Sequence, residues 1–159
     1  TQDKKHKVTD MRLWHKDLIK VLPRQQLFGQ WRECCCIARN ISINNIPNHI
    51  LVNKIMNYPI SHFWKYGFIV MEEIKKRGFN CDFEKFQKWL EKPQLLSTPE
   101  TANLFEQWHN NRYLTQCFYN LQEKYDCGGI TDEEWLPIRK LASQKNFAEW
   151  MLNGFSMTK

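Results

Sequence analysis

One carboxylate stands alone in a basic stretch of this sequence. Between Asp17 and Glu72 the only acidic residue is Glu33, and the same interval holds six lysines or arginines. A lone carboxylate among cations is either a salt-bridge partner or the acid–base group of a site that binds anions. Its residue type and its surroundings make Glu33 the first candidate for chemistry.

The apolar pattern around Glu33 predicts the helix that carries it. Pro23 suits a first helical turn, and an apolar stripe follows at helical spacing, formed by Leu27, Trp31, Cys34, Cys35 and Ala38. If that stripe faces the core, the opposite face carries Gln26, Gly29, Gln30, Glu33 and Cys36. A glycine inside a helix costs about 1 kcal/mol relative to alanine. Gly29 therefore indicates either close approach of a ligand or a contact with another helix.

The six cysteines form no recognisable metal motif. Cys34, Cys35 and Cys36 are adjacent, so on a helix they point about 100° apart and do not readily close a tetrahedral site. There is no Cys-x-x-Cys spacing and no visible secretory signal. We therefore expect reduced, mostly buried thiols in a cytoplasmic protein, with no metal and no cofactor.

Composition and charge indicate a folded protein with a polyanionic partner. The 159 residues suffice for one domain, and 42% hydrophobic residues allow a core. The net charge of +6 divides into +8 for residues 1–92 and −2 for residues 93–159. A basic front half favours nucleic acid, and a solvated basic surface is the alternative. No apolar run reaches the roughly 20 residues that span a bilayer, so we expect no membrane partner.

Helical periodicity throughout the chain predicts an all-α fold. We expect a compact single-domain helical bundle of about five to six helices with a C-terminal helical extension. The helices are predicted from residue 23, over 48–57, over 61–77, from 83 to a stop before Pro93, from 98 to a stop at Gly128-Gly129, and from 131. Thr131 and Glu134 form a capping box for the last helix, in which Pro137 is expected to cause a kink or a restart.

The predicted organisation has three parts. Residues 1–10 are a basic N-terminal arm or a cloning remnant, residues 11–92 are the helical core, and residues 93–159 are the extension packed on the same domain. We expect a monomer.

The segment around Glu33 resembles a known enzyme family. Similarity to the N-terminus of the pyrimidine-dimer DNA glycosylases, the phage-type endonuclease V fold, starts at residue 11 with MRLWHKDLIKVLPRQQLFGQWREC. The Arg32-Glu33 pair carries this match. Two further matches follow in the family's order, ILVNKI at 50–55 and EEIKKRGFN at 72–80. The resemblance covers about residues 11–80, roughly half of the chain.

The resemblance implies a DNA repair glycosylase with abasic-site lyase activity on ultraviolet-induced pyrimidine dimers in duplex DNA. In this family the α-amine at the chain's N-terminus attacks the sugar C1′ and forms an imine. A glutamate at the position of Glu33 is essential, and no metal is needed. Arg32 would lie beside the backbone phosphate. A cytoplasmic, nucleoid-associated location follows from this activity, and the alternative function is a non-catalytic helical DNA-binding or damage-recognition module.

The nucleophilic amine has two candidates. Met11 aligns with the family's reactive terminus, although ten residues precede it. The α-amine of Met11 is the nucleophile if those residues are a remnant or a misassigned start. Otherwise the arm returns the α-amine of Thr1 to the site, since ten extended residues reach some 30 Å. We favour Met11 as the source of the nucleophilic amine. A third possibility is that the extended chain uses a lysine amine or binds DNA without catalysis.

The remaining expected DNA contacts are Arg12, Gln25, Gln26, Gln30, Arg39 and Lys54. Gln25-Gln26 replaces the family's Gln-His, and Cys36 stands where the family has an arginine. Arg39, one turn further on, is a candidate substitute for that arginine. The resemblance does not cover the second half of the chain, which contains Trp108, His109, Arg112 and Tyr113. These residues are either a DNA-facing edge or a mixture of core and surface residues. We favour core and surface.

Overall fold

The computed structural model describes residues 11–91 and 98–145, which contain five α-helices, three 3-10 segments and no strand. The α-helices are α1 (Arg24–Asn44), α2 (Ile60–Lys76), α3 (Glu84–Gln87), α4 (Asn111–Asp126) and α5 (Asp132–Gln144). The 3-10 segments are Lys16–Val21, Asn53–Asn57 and Thr101–Asn103. The predicted all-α fold is confirmed. No helix of the described part is long and apolar enough to cross a membrane.

The three helices of the front half pack through the stripes that the sequence predicts. Leu27, Cys34 and Ala38 of α1 are buried, and α1 contacts both α2 and α3. Gly67 of α2 lies under the ring of Phe86, since a Cβ there would stand 2.5 Å from the ring atom Cε2. The small residue that brings two helices together is therefore Gly67, not Gly29.

Local signals placed several helix ends correctly. The Thr131 hydroxyl accepts from the backbone N–H of Glu134, and the Glu134 carboxylate accepts from that of Thr131, so the capping box is confirmed. Gly78 and Gly128 follow α2 and α4 in the left-handed region, with φ of 90° and 84°. Pro137 lies inside α5, which continues through it to Gln144.

The helix predicted from residue 98 is wrong in its first half. After Thr101–Asn103 the chain leaves the helical path, and Phe105 and Gln107 take φ values of 51° and 73°. This irregular turn buries the Phe105 ring completely. α4 then starts at Asn111, where the side chain of Asn110 accepts from the N–H of Tyr113. Burial of one large aromatic ring overrides the helical periodicity of the sequence.

Two other predicted helices are shorter than expected. The 48–57 helix is only the 3-10 segment Asn53–Asn57, because Asn48 has a left-handed φ of 62°. The helix from residue 83 is the single turn α3. The predicted arm at 1–10 and most of the predicted connection at 93–99 lie outside the described residues, as does the chain after 145.

Residues 98–145 contact the start of the described chain through polar groups. The ring Nε2–H of His15 donates to the His109 carbonyl at 3.0 Å, and the backbone N–H of Lys16 donates to His109 Nδ1 at 3.0 Å. The Lys145 ammonium lies 3.2 Å from a carboxylate oxygen of Asp17. These contacts place the 11–17 segment between α1 and the second half of the chain.

Candidate active site

The carboxylate of Glu33 lies against the beginning of the described chain. The backbone N–H of Arg12 donates to Glu33 Oε2 at 3.2 Å, and Gln30 Nε2 lies 3.4 Å from the same oxygen. Glu33 is half-buried. The carboxylate is thus held one residue away from the backbone nitrogen of Met11.

Gln30 connects α1 to residues 12–14. Its Oε1 accepts from the N–H of Trp14 at 2.7 Å and lies 2.9 Å from the Tyr66 hydroxyl oxygen, and its Nε2 donates to the Arg12 carbonyl at 2.9 Å. The side chain is 1% exposed. The prediction that Gln30 faces outward is wrong, because residues 11–14 cover that part of α1. Its contact with DNA stays a prediction.

Further side chains anchor the same backbone. The Tyr113 hydroxyl donates to the Leu13 carbonyl at 2.5 Å, and the Tyr66 hydroxyl donates to the Trp14 carbonyl at 2.5 Å. Met11 is 4% exposed, so its side chain is part of the core. Thr1, the alternative source of the amine, lies outside the described residues. The chain beside Glu33 is therefore bound from three directions, by α1, α2 and α4.

Among the described residues, no neighbouring helix lies against Gly29. Apart from its two chain neighbours and the backbone of its own helix, the described residues bring only one atom within 4 Å of a Cβ built there, which is the side-chain Nη2 of Arg32 at 3.7 Å. The described residues therefore give no support to the helix-contact explanation of Gly29, and among them space for a ligand remains. Arg32 itself is exposed, so its guanidinium is available to an anion at this face.

The other predicted DNA contacts lie on the surface. Gln25, Arg39 and Lys54 are exposed and Gln26 is half-buried. Gln26 Oε1 is buried and lacks a hydrogen-bond partner among the described residues. Six residues along a helix correspond to about 120° of rotation. Arg39 therefore lies on a different face of α1 from Glu33, and its substitution for the family's arginine stays a prediction.

A pocket of about 400 Å³ lies beside Arg12. Its other lining residues are Leu51, Tyr113, Gln116, Tyr119 and Asn120. Four of these belong to α4, which the resemblance does not cover. The sequence did not predict that these α4 residues line the pocket. The one available signal was that Gln116, Tyr119 and Asn120 share the polar face of α4 at helical spacing.

The aromatic residues before α4 are core. Trp108 and His109 are buried, Tyr113 is half-buried and Arg112 is exposed. The favoured interpretation of this segment as core and surface is confirmed.

Two buried imidazoles in this core are neutral. Burial lowers the pKa of His15 to about 4, partly opposed by the nearby Asp17 carboxylate. Burial also lowers the pKa of His109 well below its usual value. His15 Nδ1 accepts from the Asp17 N–H, which leaves the proton on Nε2 for the His109 carbonyl. Both rings serve as structural hydrogen-bonding groups here.

In the described part of the chain, the cysteines and other potential metal ligands form no second candidate site. All six cysteines are free, with Cys34 and Cys117 buried, Cys36 and Cys127 exposed, and Cys35 and Cys81 between. Burial raises the pKa of Cys34 well above its usual value and that of Cys35 to about 11, so these thiols stay protonated. The described residues contain no cluster of three His, Cys, Asp or Glu side chains that could hold a metal ion.

Known proteins were compared with this chain, and one family model matches the segment that contains Arg12 and Glu33. The family model described as pyrimidine dimer DNA glycosylase matches residues 11–87. Neither the curated proteins nor the solved structures gave a significant match. The matched segment begins at Met11, contains Gln30, Arg32 and Glu33, and ends with α3. Residues 11–87, just under half of the chain, are therefore similar to the pyrimidine dimer DNA glycosylase family.

Proposed function

We propose that the protein excises ultraviolet-induced pyrimidine dimers from duplex DNA and then cleaves the abasic site, as a base-excision repair enzyme of the nucleoid. An N-terminal α-amine forms an imine with the sugar, and Glu33 is the acid–base group. The observation that carries this proposal is the hydrogen bond from the Arg12 N–H to Glu33 Oε2. It sets a carboxylate beside the first residues of the matched segment, where the amine is required.

An α-amine is suited to this reaction. Its unperturbed pKa of about 7.7–8.0 lies well below the value of about 10.4 for lysine, so more of it is free base near neutral pH. The amine nitrogen attacks C1′, the glycosyl bond breaks, and the base leaves with the bonding electrons. After the amine loses its proton and the sugar ring opens, an imine joins the protein to C1′.

Glu33 would act at three points. As a carboxylate it stabilises the positive charge that develops on the sugar. As an acid it protonates the ring oxygen when the ring opens, and as a base it removes a proton from C2′. Loss of that proton expels the 3′ phosphate and nicks the strand, and water then hydrolyses the imine. Arg32, exposed on the same helix, binds the flanking phosphate.

Met11 is our assignment for the amine. Its backbone nitrogen belongs to the residue directly before Arg12, whose own nitrogen contacts Glu33. An amine on Thr1 would have to return across ten residues to reach the same carboxylate.

Borohydride trapping tests the chemistry and the assignment together. Duplexes with a single cyclobutane dimer, or with an abasic site, are incubated with borohydride and with chains that start at Thr1, Met11 or Arg12. We expect a covalent adduct, with the chain starting at Met11 most active, and mass spectrometry of the trapped peptide should find the sugar on the Met11 nitrogen.

Other outcomes have defined meanings. An adduct on Thr1, on Arg12 or on a lysine would refute the Met11 assignment and keep the imine mechanism. Salt-sensitive binding to damaged DNA without an adduct or a nick from any of the chains would favour the non-catalytic damage-recognition module instead.

A further inference from the structure

Exposed apolar side chains are concentrated in one short stretch of the surface. Eight large hydrophobic residues are exposed in the described part of the chain, and five of them fall within residues 43–56. They are Ile43, Ile46, Ile50, Leu51 and Met56. Ile50 is 83% exposed, the most of any of them. Scattered apolar residues need no explanation, but a cluster of this kind marks an interaction surface.

The loop between α1 and the 3-10 segment Asn53–Asn57 carries Ile46, Ile50 and Leu51. Its two ends are tied by the Asn40 side chain, which donates to the Pro47 carbonyl at 3.0 Å, and by the Asn53 side chain, which accepts from the His49 N–H at 3.0 Å. Val52 and Ile55, which follow Ile50 and Leu51 in the sequence, are buried. The Ile50-Leu51 tip is therefore presented outward by a hydrogen-bonded loop.

The tip adjoins the candidate active site. Leu51 lines the same pocket as Arg12, and the N–H of Arg12 contacts Glu33. A ligand that reaches Glu33 along the surface beside Arg12 therefore meets the tip.

The charge around the tip selects the kind of ligand. No acidic residue occurs from Cys34 to Met71, while Arg39 and Lys54 are exposed in this stretch. An apolar tip with cationic flanks complements a partner with an anionic surface and an apolar interior. Duplex DNA has this combination, with phosphates outside and stacked bases inside.

We propose that Ile50 and Leu51 form a wedge that enters the base stack of duplex DNA beside the lesion held at Glu33. The inference rests on the proposed function and extends it to how the duplex is opened. Isoleucine and leucine are among the side chains that DNA-bending proteins insert between base steps. Separation of two stacked bases is unfavourable, and contact with the wedge replaces part of the lost stacking. No covalent step is assigned to the tip.

The test uses Ile50→Ala, Leu51→Ala and the double variant in the full chain. Leu136→Ala is the matched control, since Leu136 is a 61% exposed leucine on α5. The probe is a duplex with one cyclobutane dimer and 2-aminopurine at the neighbouring base step. The fluorescence of 2-aminopurine rises when it is unstacked, so one titration reports both affinity and opening.

We expect the wild-type protein and Leu136→Ala to raise the fluorescence equally. The double variant should bind the lesion duplex at least about tenfold more weakly, since two apolar side chains lose their contacts, and should leave the 2-aminopurine stacked. The slope of affinity against salt should stay unchanged, because neither side chain contacts phosphate. Thermal melting checks that the variants are folded, and Ile50→Ala alone provides the test if the double variant is not.

Several results would overturn the wedge. Equal affinity and equal fluorescence for all variants would do so, even if borohydride trapping succeeds. So would dimerisation of the wild-type chain that the double variant abolishes without any change in DNA binding, since the tip would then contact a second copy. Failure of trapping with a retained difference in fluorescence would instead refute the catalytic proposal and support the wedge.

Discussion

Arg12 and Glu33, 21 positions apart in the sequence, are joined by a hydrogen bond of 3.2 Å from the backbone N–H to the carboxylate. Gln30, one turn before Glu33, binds the carbonyl of the same Arg12. The lone acid of the basic stretch is thereby fixed to the start of the family segment. This relationship connects the sequence motif to the proposed reaction, which needs a carboxylate next to an amine.

Glu33→Gln should abolish catalysis while the fold is kept. The amide oxygen can still accept from the Arg12 N–H, but the negative charge and the acid–base function are lost. We expect incision of dimer-containing duplex to fall by at least about 10²-fold, measured in single-turnover assays. Glu133→Gln, at an exposed position on α5, is the control and should act as wild type. Incision at the wild-type rate by Glu33→Gln would rule out the assigned role.

Gln30→Ala should destabilise the protein and weaken catalysis. It leaves the buried N–H of Trp14 without its acceptor, at a cost of about 1–3 kcal/mol. Urea denaturation measures the change in the free energy of unfolding. Gln25→Ala, on the exposed surface of the same helix, should change it by less than about 0.5 kcal/mol. Similar values for the two variants would contradict the positioning role of Gln30.

The two glycines inside helices should respond in opposite ways to alanine. Gly67→Ala forces a Cβ against the Phe86 ring and should cost about 1–3 kcal/mol. Gly29→Ala meets only Arg32 Nη2 at an ordinary 3.7 Å, so it should stabilise α1 by about 0.5–1 kcal/mol.

A measurement of DNA affinity tests whether Gly29 faces the ligand. We expect Gly29→Ala to bind dimer-containing duplex several-fold more weakly, because its methyl group occupies the space kept for the ligand. Unchanged affinity, with the gain in stability, would show that the glycine serves no ligand.

Acidification should unfold the protein through its buried histidines. The pKa of His15 is lowered by burial to about 4, so between the usual value near 6.5 and 4 the unfolded chain binds more protons than the folded one. Stability is therefore complete above about pH 6.5 and declines toward pH 4, by up to about 3 kcal/mol from His15.

Urea denaturation over this pH range measures the decline. His15→Gln should flatten the dependence, whereas His49→Gln, in the loop before Asn53–Asn57, should leave it unchanged. A His15→Gln protein with the full wild-type slope would assign the effect to other groups.

Local chemistry was readable in the sequence. The apolar period of α1 and α2, the Thr131–Glu134 capping box and the glycines after α2 and α4 depend on neighbours within about four residues. Such signals predicted the helix starts and ends correctly where no long-range contact opposed them. The candidate carboxylate was equally visible, since Glu33 is the only acid in its interval.

Tertiary contacts decided the rest. The Tyr113 hydroxyl binds the carbonyl of Leu13 across 100 positions, and no local pattern encodes such a pair. The same packing buries Gln30 under residues 11–14, turns the chain at Phe105 and brings α4 to the pocket beside Arg12. Periodicity tells which face of a helix is apolar, but which segment covers that face depends on the whole chain. The sequence thus determined the helices and the lone carboxylate, and the tertiary structure determined what lies against it.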